Sequence, residues 1–231
     1  MKPILIGLLI YTATDVSAGA HIISLQGDVK VRRGLEETWL RAAEGMLLED
    51  MDSILNGETA EAVLEMDDGR TFRLGSNAIL DIADLRRITE QQLFLYLTAK
   101  KIQNLDPPGH GGPVRIQNVS TVRAENRSKS GGHGSDAADP LIWKQKANAA
   151  LAMIEQAYYP NAVVKLHKIL DAHASTADKA RLHLYLGRSF EAMEDRGRAL
   201  EAYQTAAAHC TSGQGAVRTE SLDAVKRLKN D

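Results

Sequence analysis

The chain has 231 residues, 25% of them charged and 5% aromatic, with a formal net charge of −2. That length supplies enough apolar side chains for one or two packed cores, and the near-neutral balance excludes a general nucleic-acid binder, which needs a basic face to neutralise phosphates. The balance hides a split: residues 21–106 hold 10 Lys+Arg against 16 Asp+Glu, a net of −6, while 141–231 hold 13 against 10, a net of +3. Opposite signs let the two halves attract each other or a second copy of the chain.

The first twenty residues, MKPILIGLLIYTATDVSAGA, carry one Lys, an apolar run from Ile4 to Tyr11 and then small residues. This reads as a secretory signal peptide over 1–20, with cleavage after Ala18 or after Ala20. The apolar run is too short to cross a bilayer, and no Cys stands at either cleavage point to take a lipid anchor. The mature chain is therefore expected in the periplasm or outside the cell, without a membrane span. Cys210, the only cysteine, has no internal disulfide partner and is expected buried as a small apolar side chain.

From 21 to 106, short runs with period-two patterning alternate with turns at Gly27, Gly34, Gly45, Gly57, Gly69 and Gly75, which predicts an all-β roll or sandwich. The stretch AVLEMDDGRTFRL, 62 to 74, tests whether Asp67 and Asp68 are paired for chemistry. A two-residue loop would mix the faces. A three-residue loop of Asp67, Asp68 and Gly69 sets Leu64 opposite Phe72 and Ala62 opposite Leu74, with Glu65 and Thr71 on the wet side. Gly69 suits the left-handed position that closes such a loop, so the pair reads as a turn. The segment from Glu90 to Leu105 is ambiguous; the alternation of Leu93, Leu95 and Leu97 favours a strand at its start.

Residues 107–140 are rich in Gly, Pro and Ser and read as a linker, with His110 and His133 solvated in it. PVRIQNVSTVRAEN within it is one further candidate strand, which would carry the β domain to 127. Asn118 and Asn126 match a glycosylation pattern that matters only in a eukaryotic secretory path.

From 141 to 231 Ala and Leu recur at helical spacing, predicting an all-α domain. Leu186, Gly187, Phe190, Ala199, Tyr203 and Ala206 form one helical hairpin pattern with Gly197 in its turn. A fainter copy holds Ala150, Met153, Ala162, Leu166 and Ile169, with Tyr158-Tyr159-Pro160 at its turn; Ala162 and Ala199 stand 37 positions apart (199 − 162). A last amphipathic segment is expected to cap the array with Leu222, Val225 and Leu228 inward. With two units where about three are normally needed to bury the repeat faces, open apolar surface is expected around the first helix, near Trp143, Leu151 and Ile154, as a docking place for a partner or a second copy.

No nucleophile elbow or phosphate-cradling loop stands in the sequence, and GHGGP at 109–113 lacks the serine motif that an esterase loop would accompany. His167, His173, His183 and His209 lack metal-ligand spacing. The expectation is a non-enzyme with no catalytic residue, no metal and no cofactor. A glycan hydrolase using carboxylates such as Glu49, Asp50 and Asp52 is the weakest alternative, since nothing places two of them at a cleft.

Two resemblances add to this. Gly27-Asp28-Val29, Trp39 with Ala42, Gly45-Met46, Asp52-Ser53-Ile54, Asn56-Gly57, Ala62-Val63-Leu64, Asp68-Gly69, Leu74, Asn77, Leu80 and Ile82 follow the order of landmarks in the FecR family's extracytoplasmic domain, over about Ala20 to Leu85. Arg123-Ala124-Glu125 departs from that family's later turn. The helical half resembles tetratricopeptide repeats, although the link DAHASTADKA is about three residues longer than their usual period. Together the resemblances imply an α+β chain in separate domains, with a FecR-like β domain followed by tetratricopeptide-like hairpins. They imply an exported, non-enzymatic envelope scaffold that binds protein partners; glycan binding by the β domain has no residue to support it. The alternative is a component of a FecR-type signalling system, which a chain without a membrane span cannot complete alone. The repeat family lines its ligand groove with the first helix of each unit, which makes Arg181 and Arg188 candidate contacts for an acidic partner segment.

Overall fold

The computed structural model describes residues 19–103, 142–174 and 178–230. The signal-peptide reading up to Ala18, His110, His133, Asn118, Asn126 and the strand expected in PVRIQNVSTVRAEN lie outside the described residues.

The described residues begin with eight strands in two antiparallel sheets. One has the order β4 (Leu47–Leu48), β1 (Ala20–Gln26), β6 (Glu61–Met66), β7 (Thr71–Leu74); the other has the order β3 (Trp39–Arg41), β2 (Val29–Arg32), β5 (Ser53–Asn56), β8 (Ala78–Asp81). Ile22, Leu64, Phe72 and Leu74 from the first sheet meet Val31, Ile54 and Leu80 from the second in one core. The alternation along these strands makes this possible, because side chains two apart share a face. In the β6–β7 hairpin Leu64 pairs with Phe72, Ala62 with Leu74 and Glu65 with Thr71. Gly69 closes the loop at φ +78°, as the register argument requires. Asp68 accepts from the Arg70 backbone N–H at 3.1 Å and from Arg70 Nε at 2.6 Å, so its carboxylate organises the turn.

A short 3₁₀ turn, Ile82–Leu85, follows β8, and among the described residues six α-helices follow that: α1 (Glu90–Gln103), α2 (Ile142–Glu155), α3 (Tyr159–Ala172), α4 (Lys179–Ala192), α5 (Arg196–His209) and α6 (Gly215–Asn230). The α+β layout is present, but the halves are joined: Ala149, Ala152 and Met153 of α2 and Ala162 of α3 belong to the sheet core. The strand expected at the start of 90–105 is instead the helix α1. Leu93 turns into the helical core while Leu95 stays 59% exposed, so the alternating leucines do not share a sheet face. Thr89 and Gln92 fix the start of α1 reciprocally: the Thr89 N–H donates to Gln92 Oε1 at 2.9 Å and the Gln92 N–H to Thr89 Oγ1 at 3.2 Å, a capping box. Among the described residues the last strand, β8, ends at Asp81, and α1 packs on α3 as part of the helical layer.

The helical hairpins repeat in their hydrogen bonds. Tyr158 N–H donates to the Met153 carbonyl at 2.8 Å, and Asp195 N–H to that of Phe190 at 2.9 Å. Ala162 N–H reaches the Tyr158 carbonyl, and Ala199 N–H that of Asp195, each at 2.9 Å. Every member of the second set lies 37 positions after its counterpart (195 − 158, 199 − 162). The inter-helix turn is Met193–Asp195, and Gly197 lies inside the first turn of α5, because Asp195 caps that helix through the Arg198 N–H at 3.0 Å. In α6 Ser221, Ala224 and Leu228 face inward with Val225 beside them, whereas Leu222 is 44% exposed. Leu222 sits about 100° round the helix from Ser221, and the close approach to α5 takes the small side chains.

Candidate functional site: the sheet–helix junction and the outer apolar faces

The junction is built from polar groups that α2 and α3 present to β7 and the 3₁₀ turn. Gln156 lies against the edge strand: its Oε1 accepts from the Arg73 N–H and its Nε2 donates to the Arg73 carbonyl, both at 2.7 Å. One side chain thus completes two ladder bonds that β7 otherwise offers outward. Asn161 Nδ2 donates to the Asp84 and Arg86 carbonyls, each at 2.7 Å. Asn148 Nδ2 donates to the Asn77 carbonyl at 2.7 Å. Tyr158 stands edge-on to Phe72 with ring centroids 5.4 Å apart.

At the centre, Asp84 receives Lys165 Nζ on one oxygen and Lys168 Nζ on the other, both at 2.7 Å. Asp84 and Lys165 are both buried. Burial alone would raise the Asp84 pKa, but the two ammonium groups outweigh it and hold the carboxyl at about 2. The opposite charges of the two halves meet here, an acidic residue from the first half against two lysines from the second.

A second titratable group lies among the helices. His183 of α4 stacks on His209 of α5 at 5.8 Å between centroids. Burial, helped by the neighbouring His209, His167 and Lys179, lowers the His183 pKa to about 4. His167 of α3, next to Tyr96 of α1, is lowered to about 4 by burial and by Lys100, with Asp171 opposing. Among the described residues no group of three or more His, Cys, Asp or Glu is placed to hold a metal ion. Cys210 is buried and unpaired, its Sγ donating to the Ala206 carbonyl at 3.2 Å.

The residues expected to carry partner binding differ in exposure. Trp143 is 6% exposed and belongs to the helical core; Ile154 is partly buried against both cores. Leu151 lines a cavity of about 450 Å³ with Arg73, Asn148 and Gln156. Beside them, α2 packs on β8 and places Ala149, Ala152 and Met153 in the sheet core, so the sheet covers part of the side where a third repeat would have stood. Arg188 is held by Glu220 of α6 through Nε at 2.8 Å and Nη2 at 2.5 Å, while Arg181 lies by Asp178 at 3.6 Å. Each has its own carboxylate partner.

Of the carboxylates considered for a glycan hydrolase, Asp52 serves the fold. Asp52 is buried and accepts from Arg33 Nη1 at 2.6 Å and from the Gly34 and Glu49 N–H groups, each at 2.9 Å, tying together two loops. Apolar side chains stand open elsewhere: Phe94, Leu95 and Ile102 on the outer face of α1, and Leu35, Leu47 and Met51 around the short edge strands. Sequence reasoning missed the α1 face because it read the leucines there as a strand; the Thr89–Gln92 spacing was the available signal.

Compared with known proteins, the chain matches no family model, no curated protein and no solved structure. Among the described residues no helix is long and apolar enough to cross a membrane.

Proposed function

We propose that this chain is an exported scaffold of the cell envelope, a FecR-like β unit carrying a short tetratricopeptide-like array, and that it works by binding protein partners without catalysis. The observation that carries the reading is the recurrence of one helical hairpin, with the same hydrogen bonds closing its turn, at 37 positions. Arrays of such hairpins present extended surfaces whose side chains are free to vary while the backbone is kept. Three further observations support it. The landmark residues Asp52, Asn56 and Gly69 serve turns and loop ties, as they would in a β scaffold. The charged groups of the junction are engaged in holding the halves together. The outer face of α1 keeps large apolar side chains in solvent, a property that marks interaction sites when such side chains cluster.

The test is a photo-crosslinking amino acid at Phe94 or at Lys226, an exposed position of α6, in the full chain made in a bacterial host and followed through cell fractionation. The reading expects the chain in the envelope or periplasmic fraction and a discrete adduct from position 94 that position 226 does not give. A chain confined to the cytoplasm, or identical adduct patterns from both positions, would overturn it.

A further inference from the structure

The small-residue rule allows cleavage after Ala18 or after Ala20, and the two products differ at one place in the fold. Ala20 is 1% exposed and is paired on both sides, with Leu48 of β4 and Met66 of β6. Ahead of it, the Gly19 N–H donates to Asp67 Oδ2 at 2.7 Å, and the Gly19 carbonyl accepts from the Asp67 N–H at 3.2 Å. A Cβ at Gly19 would stand 3.2 Å from both Asp67 Oδ2 and the Leu48 carbonyl oxygen, so residue 19 is seated between β4 and the β6–β7 loop and not merely adjacent to them. A cut after Ala20 removes all of this: both residue pairs, the buried methyl and both bonds to Asp67.

We propose that the chain is cut between Ala18 and Gly19, and that the ammonium freed on Gly19 pairs with the Asp67 carboxylate and fastens β1 to the β6–β7 loop. The proposal rests on the export reading above. A host signal peptidase hydrolyses the bond with one water; Ala18 leaves as a carboxylate and the Gly19 nitrogen takes up protons to become an ammonium. The nitrogen keeps its place beside Asp67, and an amide donor becomes a charged one, which forms a stronger hydrogen bond with a carboxylate. The two neighbouring aspartates then have separate work, Asp68 within the turn and Asp67 at the chain terminus.

Two measurements test this. The intact mass of the chain recovered from the periplasm of an expressing bacterium should correspond to a first residue of Gly19. A first residue of His21, or any other processed start, overturns the proposal while leaving export standing. A full-length chain confined to the cytoplasm overturns both. The pairing is tested with chains released from a removable fusion, one beginning at Gly19 and one keeping Val16-Ser17-Ala18. Asp67→Asn should lower the Tm by about 2 °C more in the first than in the second at low salt, the scale of one exposed ion pair. Equal shifts in the two chains overturn the pairing.

Discussion

The α2–α3 and α4–α5 hairpins share a backbone and differ in what they face. Both turn through a left-handed residue that is not glycine, Ala157 at φ +64° and Glu194 at φ +61°. Both bury an alanine at the start of the second helix, Ala162 and Ala199. Between the helices, however, the second sets Gly187 against Tyr203, where the first buries Ala150 and Leu166 in the same places 37 positions earlier (187 − 150, 203 − 166). On the outer side, Gln156, Asn161 and Lys165 of the first correspond to Met193, Arg198 and Ala202 of the second. The first hairpin carries a polar face matched to a sheet; the second meets α6 through buried apolar side chains and through the ion pairs Arg188–Glu220 and Arg227–Glu191. A repeat therefore fixes the hairpin and leaves its outer residues to choose the neighbour.

The largest effect should come from the groups found only in the first hairpin. Asp84→Ala leaves Lys165 buried without its main partner and should lower stability by about 3–5 kcal/mol, the usual cost of breaking one side of a buried pair. Replacing Ala202 of the second hairpin, which has no such partner, by Gly should cost about 1 kcal/mol. Acid titration sharpens the contrast. Because the folded Asp84 pKa of about 2 lies below its ordinary value of 3.8, its contribution is complete above about pH 4 and is lost as the pH falls towards 2. His167 and His183, lowered from 6.5 to about 4, destabilise the helices earlier. Their contribution is present above about pH 6.5 and is lost as the pH falls towards 4. Circular dichroism melts across this range should show two losses, the upper one reduced by His183→Asn and the lower one absent in Asp84→Ala.

The next effect tests the volume exchange inside the second hairpin. A Cβ at Gly187 would meet the Tyr203 ring at 2.6 Å, nearer than side chains approach, so Gly187→Ala should cost about 1–3 kcal/mol by overpacking despite the better helix propensity of alanine. Adding Tyr203→Leu, which copies Ala150 and Leu166, should recover part of that loss in urea unfolding. If the double variant is less stable than the sum of the single ones, the two hairpins are not interchangeable solutions of one packing problem. The Tyr203 hydroxyl sets a limit on the rescue, since it donates to Glu191 Oε2 at 2.7 Å.

Smaller again is Gln156→Ala, which removes both bonds to Arg73 at the sheet edge and should cost about 1–2 kcal/mol. Met193→Ala at the equivalent place should leave the sheet untouched, visible as unchanged amide exchange at Arg73. This polar junction was the least legible part of the sequence. Gln156, Asn161 and Lys165 stand 70 to 90 positions from the groups they bind, for example 165 − 84; by type they belong on a wet helix face, and only the opposite net charges of the halves hinted that they meet. The β6–β7 register was legible because one loop length alone brings Leu64, Phe72, Ala62 and Leu74 to one face. The hairpin repeat was legible because Gly and Ala must recur where helices cross closely. Leu222 and the leucines of α1 misled for the opposite reason: their hydrophobicity was read as inwardness, where side-chain size and a capping box decided. The open face of α2 was expected from counting repeats, a count that omits the sheet as a neighbour.

The smallest expected effect isolates what the hairpins have in common. Ala157 and Glu194 hold the left-handed turn with a Cβ, a conformation that costs an ordinary residue about 1 kcal/mol and glycine almost nothing. In each, the turn residue donates to a carbonyl three positions back, Ala157 to Ile154 at 3.1 Å and Glu194 to Glu191 at 3.0 Å, and the next bond closes a Schellman-type cap. Ala157→Gly and Glu194→Gly should each raise stability, by about 0.5 kcal/mol once the added freedom of the unfolded chain is counted. Because neither side chain takes part in the sheet junction or in the bonds to α6, the two gains should be equal within error and should add in the double variant. Unequal gains in urea unfolding would mean that the neighbour of each hairpin, sheet or helix, reaches into the turn itself, and the division between a fixed hairpin and a variable outer face would fail at its narrowest point.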